Sequence, residues 1–202
     1  MKSKALLLVA CAVLLVLGTV FTTVAFLSST TDVVKNTFTV GNVVITLDEK
    51  DVDASTPDMD RDIKNEYHLV PGKEYDKDPT IHVQANSENC YLFIKVKNDI
   101  TSIEDAGATI EAQILANDWQ VLSTEADGSV IYYLADEIES KNEVQDIYIF
   151  KTFKVGDDVS NATLTALAEN EPTITVVAYA IQSTGFESAE EAWTAAPSTW
   201  TK

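Results

Sequence analysis

FTVGNVVITLDE (residues 38–49) is the stretch whose periodicity sets the fold class. Apolar side chains fall at Phe38 and Val40, and again at Val43, Ile45 and Leu47. An apolar residue at every second position describes a strand with one buried face. The parity changes between Val40 and Val43, and an unbroken strand would turn its two halves to opposite faces. Gly41-Asn42 stands at the change. Glycine tolerates the backbone of a bulge, and one extra residue restores the facing. A bulge or kink is predicted there.

Similar runs recur down the chain. Val70-Pro71-Gly72-Lys73 reads as a turn. Pro79 opens a strand through Ile81, Val83 and Ala85, and Tyr91–Lys97 is a second strand after the turn residues 86–89. These two runs predict a hairpin. Trp119 and Val121 alternate with polar neighbours. Ala126-Asp127-Gly128-Ser129 is a hairpin turn signal, with Val130–Leu134 as the returning strand. Residues 144–155 read as one longer strand. Ile174–Ile181 is the most apolar run of the body and has apolar residues on both faces, which predicts a central strand. Helical signals are shorter. Residues 99–116 are ambiguous, with 102–108 able to make a short helix and 109–115 either strand or helix, and 161–169 read as a short helix or an irregular loop. Ser188-Ala189-Glu190-Glu191 has the form of a capping box and opens a helix holding Ala192 and Trp193. Eight or nine strands spaced by turns describe a mainly β fold, an antiparallel β-sandwich over residues 38–195 with short helices in loops and near the C-terminus. Residues 196–202 form a tail.

Ahead of the first strand, Lys2 and Lys4 are followed by an uncharged run from Ala5 to Leu27. Thr23-Val24-Ala25 places small residues at the last and third-last positions of a signal-peptidase site, so residues 1–25 read as a signal peptide cut between Ala25 and Phe26. The run is also long enough to span a bilayer uncut. Leu8-Val9-Ala10-Cys11 has the shape of a lipoprotein box, although the apolar stretch before it is short. Residues 26–37, FLSSTTDVVKNT, read as an extended arm.

The formal charge is −18, and removal of Lys2 and Lys4 with the leader gives −18 − 2 = −20. Charge of that sign repels nucleic acid and anionic membrane surfaces. A hydrophobic fraction of 46% excludes wholesale disorder. Cys11 lies in the leader and Cys90 in the body, so the exported chain has one thiol, read as a small core residue.

The acidic stretch 48–66 contains Asp58-Met59-Asp60-Arg61-Asp62. Asp58, Asp60 and Asp62 alternate as the opening of a calcium loop does. Ile63 stands where the turn glycine belongs and Leu69 where the closing glutamate belongs, so a solvated acidic loop is the plainer reading. No catalytic residue, metal ligand set or cofactor motif is identified. Trp119, Trp193, Trp200 and Tyr132-Tyr133 supply the aromatic groups for a sugar-binding platform, with core packing as the simpler role for most of them.

Three stretches carry a family resemblance: NTFTVGNVVITLDE (36–49), LVPGKEYDKDPTIHVQANSENCYLFIKVKN (69–98) and ITVVAYAIQSTGFESAEEAW (174–193). Together with the leader, they resemble the TasA/camelysin family of secreted bacterial proteins, whose signal peptides are cut by a SipW-type signal peptidase. The resemblance implies a jelly-roll-like sandwich, export across a Gram-positive-type envelope, and a place on the cell surface or in biofilm matrix. It also implies fibre formation, in which the freed arm adds as a strand to the next copy. By position, residues 26–37 match that arm, with Phe26, Leu27, Val33 and Val34 as its apolar anchors. The partners expected are therefore the signal peptidase and further copies of the chain. No nucleic acid is expected, and a membrane is met only through an uncut leader. Camelysin-type relatives are classed as metallopeptidases. Here only His68 and His82 are present and no HExxH occurs, so a peptidase is not expected. The other reading carried forward is a monomeric extracellular module that binds a glycan or a host protein.

Overall fold

A computed structural model of the chain describes residues 42–53 and 60–197. In chain order the strands are β1 (Ile45–Lys50), β2 (Arg61–Asp62), β3 (Glu74–Asp76), β4 (Thr80–Val83), β5 (Cys90–Asn98), β6 (Trp119–Thr124), β7 (Val130–Leu134), β8 (Gln145–Tyr148), β9 (Thr152–Lys154) and β10 (Ile174–Gln182). The helices are α1 (Ile110–Ala116), α2 (Asn161–Ala168) and α3 (Ala189–Thr194). All strand pairs are antiparallel, in two four-stranded sheets ordered β2-β1-β4-β8 and β10-β5-β7-β6, with β3-β9 as a separate ribbon. The fold is mainly β and the sheets face each other across one core, as a sandwich does.

The alternation read from the sequence explains the core. Ile81 and Val83 of β4 meet Leu92, Ile94 and Val96 of β5, and Tyr75, Phe153 and Trp119 close the ends of the same cluster. Tyr75 and Phe153 stack at 4.8 Å. A second, smaller cluster lies on the outer face of the β5 sheet, where Tyr91, Phe93 and Tyr133 are covered by Ala189 and Ala192 of α3. Each helix has a side-chain cap. Thr109, Ser160 and Ser188 accept from Ala112, Thr163 and Glu191 respectively, satisfying otherwise orphaned amides. Gly72 makes the turn before β3 at φ 73°, and a Cβ there would collide with Asp157 Oδ1.

Four expectations are corrected. The hairpin predicted from 79–85 and 91–97 does not form: β4 pairs with β1 and β8, and β5 pairs with β10 and β7. The intervening residues cross from one sheet to the other, and Ser87 is held by its hydroxyl and Val44 rather than by a two-strand turn. Residues 144–155 are two strands in different ribbons. Ile149 and Phe150 are both fully buried, so consecutive side chains turn inward and the ladder breaks between β8 and β9. Residues 102–108 give only a 3₁₀ turn at Thr101–Ile103, and the helical residues begin at Ile110 behind the Thr109 cap. Finally, among the described residues β10 lies at an edge of its sheet, with β5 and β7 inside it. Apolar residues on both faces of β10 are still accounted for. Ile174, Val176, Ala178 and Ala180 face the main core, and Tyr179 and Ile181 face α3.

The first strand is seen from Ile45, with Asn42–Val44 before it in irregular structure. The bulge predicted at Gly41 lies outside the described residues, as do the leader, the Ala25–Phe26 cut, and Phe26, Leu27, Val33 and Val34 of the arm.

Candidate functional site

β10 is nine residues long, and among the described residues no strand pairs with its outer edge. A groove of 1140 Å³ opens beside its first half. Leu47 of β1, Tyr67 and Leu69 of the following segment, Leu164 of α2, and Ile174 and Val176 of β10 supply its apolar lining. Asp48, Glu49, Asp62 and Lys77 add three carboxylates and an amine to the lining. The physical reason for the opening is the strand order. β1 and β10 belong to different sheets, and among the described residues the segment 62–70 and α2 line the space beside them.

Ion pairs through Asp48 tie the strands beside the groove together. Arg61 on β2 donates from Nε to Asp48 and from Nη1 to Asp78 Oδ2 at 3.1 Å. His82 on β4 links three strands: Nε2 lies 2.9 Å from Asp48 Oδ1 on β1, and Nδ1 lies 2.6 Å from Asp146 Oδ1 on β8. Burial alone would lower the His82 pKa, but hydrogen bonds and charge from Asp48 and Asp146 outweigh it and hold the ring above its ordinary value. Asp48 is likewise pushed up by burial, but Arg61 and His82 prevail and hold it below the usual carboxylate range. Tyr75 fixes the inner wall, since its hydroxyl donates to His68 O at 2.5 Å and accepts from Val70 N–H at 2.7 Å.

The sequence candidates separate on this structure. Asp58 lies outside the described residues. Asp60 uses its carbonyl to accept from Asp51 N–H, and Asp62 Oδ1 caps Ile63 N–H. Among the described residues no three His, Cys, Asp or Glu side chains converge as a metal group. His82 spends both ring nitrogens on carboxylates, and His68 is exposed in the loop. Trp119 is buried to 1% exposure with Nε1 donating to Tyr148 O, and Tyr132 and Tyr133 are buried too. Trp193 packs on Phe93 at 4.8 Å. These aromatics are packing groups and do not form a sugar platform, and Trp200 lies outside the described residues. Cys90 is fully buried, and burial pushes its thiol up to about 11, which makes it inert.

The sequence reading missed Arg61, Glu49 and Lys77. Parity could have found two of them: Glu49 continues the inward series Ile45, Leu47, and Lys77 continues from Tyr75. Charged residues at inward positions call for partners.

No family model matches the chain, and no curated protein or solved structure matches it either.

Proposed function

We propose that this chain is a secreted structural subunit of the bacterial cell surface or biofilm matrix. It assembles into fibres when residues 26–37 of one copy add along the open edge of β10 in the next. The observation that carries this reading is a long apolar strand whose outer edge is unpaired among the described residues and opens on a partly apolar groove. Such an edge presents a row of backbone donors and acceptors, and an added strand satisfies them while its alternate side chains enter the groove. The lengths agree. Nine residues of β10 span about 30 Å, and the twelve-residue arm (37 − 26 + 1) reaches about 40 Å when extended. Donation from each copy to the next does not close on itself, so it builds a filament. A jelly-roll connection of the strands, TasA/camelysin membership and release by a SipW-type peptidase belong to this proposal, and no catalytic step does.

The test is negative-stain electron microscopy of protein beginning at Phe26, beside the same protein lacking 26–37. Filaments from the first and none from the second are expected. Monodisperse particles from both would overturn the reading in favour of a monomeric module that takes an extended peptide of another protein in the same groove.

A further inference from the structure

Three side chains at the inner wall of the groove bring together an amine, a primary amide and a carboxylate. Glu49 and Lys77 are exposed by only 6% and 7%. Lys77 Nζ donates to Glu49 Oε2 at 2.5 Å, and Asn65 Nδ2 donates to the other oxygen, Oε1, at 2.9 Å. The Asn65 amide is held in one orientation. Its Oδ1 accepts from Val52 N–H at 2.8 Å, and Nδ2 also donates to Lys50 O at 2.9 Å. The Tyr67 ring lies 5.8 Å from Lys77 Nζ, and its hydroxyl is pinned to Asp76 O at 3.1 Å. The amine and the amide therefore sit on the two oxygens of one carboxylate, with the amine over the Tyr67 ring.

Amines and carboxamides do not react with each other in water near neutral pH. The amine is protonated, the amide carbonyl is a weak electrophile, and its nitrogen is a poor leaving group. Each obstacle has an answer here. Glu49 is placed to take the proton from Lys77. The Val52 amide is placed to polarise the Asn65 carbonyl. The same Glu49, through its second oxygen, is placed to return the proton to the departing nitrogen. We propose that Lys77 and Asn65 become joined by an intramolecular amide bond, with Glu49 as the proton-transfer group. The Lys77 amine attacks Asn65 Cγ, and the oxyanion forms on Oδ1 against Val52 N–H. The Cγ–Nδ2 bond then breaks as Glu49 returns the first Lys77 proton to Nδ2; the joined nitrogen gives its second proton to Glu49, and that proton departs with the ammonia as one ammonium ion. One C–N bond forms and one breaks, no electrons are exchanged, and no co-reactant is needed. Rotation of the four-carbon stem of Lys77 supplies the movement from Oε2 to Cγ. The product closes the loop 65–77, which lines the groove, and fixes that wall covalently. The inference is independent of fibre assembly.

The test is peptide mass spectrometry of the full chain after denaturation and trypsin. Trypsin does not cut after an acylated lysine. The expected product is residues 65–73 linked to residues 74–95, lighter than the sum of the two peptides by one ammonia. Glu49→Gln and Lys77→Met, each checked for folding by circular dichroism, should give only the free 65–73 peptide. Free Asn65 and a normal cut after Lys77 in the native chain would overturn the proposal, whatever the variants do. A link that persists in Glu49→Gln would overturn the role given to the carboxylate.

Discussion

At the scale of single residues, His82 carries the most specific prediction. A neutral imidazole has one N–H and can donate to one carboxylate. The contacts to both Asp48 and Asp146 are satisfied only when the ring is protonated. The folded pKa is raised above the ordinary 6.5, so His82's contribution to stability is fully present below about pH 6.5 and is lost as pH rises through the folded value. Asp48 works in the opposite sense. Its pKa is lowered from 3.8, so its contribution is present above about pH 4 and is lost as pH falls through the folded value. Urea titrations should find wild type more stable than His82→Gln by about 1–2 kcal/mol at pH 5, with the gap narrowing above neutrality. A gap that does not change with pH would refute the charged bridge. Trp119 gives a second check. It is enclosed and its indole donates to Tyr148 O, so Trp119→Ala should cost about 3–5 kcal/mol in the same assay. Core packing is the simpler role the sequence offers for most of the aromatics, and Trp119 has it, whereas for His82 the sequence names no partner. Alternation with Ile81 and Val83 places His82 on the other, polar face of its strand. Its partners lie 34 and 64 residues away, and only strand order brings them to it.

At the scale of elements, local chemistry was legible, and pairing was legible only where a tight turn joins the two strands. The Ala126–Ser129 turn joins β6 and β7, and the Ser188 cap starts α3. Both signals are complete within a few residues. The step from β4 to β5 also has turn residues and flanking alternation, yet it crosses between sheets, because each strand finds its partners elsewhere. The break at Ile149-Phe150 was hidden for a similar reason: two adjacent apolar residues fit a strand buried on both faces as well as a crossing. β10 was misplaced because burial on both faces does not need two neighbouring strands when α3 covers one face. Its edge position leads to a prediction at this scale. Val177 is 40% exposed on that strand, and a lysine on an edge disfavours strand addition. Val177→Lys should change stability by no more than about 0.5 kcal/mol, since it leaves the core untouched. It should abolish filaments under conditions where the chain beginning at Phe26 forms them. Filaments of normal length from this variant would move the docking edge away from β10.

At the scale of the whole molecule, charge and strand addition oppose each other. A chain beginning at Phe26 carries −20. The arm FLSSTTDVVKNT holds one aspartate and one lysine and is neutral, so the whole of that charge lies in residues 38–202. Copies therefore repel as they approach, while the segment proposed to join them does not add to the repulsion. Backbone pairing and apolar side chains in the groove are insensitive to salt, whereas repulsion between bodies is screened over about 30 Å at 0.01 M and about 10 Å at 0.1 M. Raising sodium chloride across that range should hasten filament growth, followed by light scattering, and should not dissolve filaments already formed. Subunits held together by ion pairs would behave the other way, assembling at low salt and separating as salt is added. Slower growth at higher salt would thus count against arm donation into the β10 groove, even if electron microscopy showed filaments.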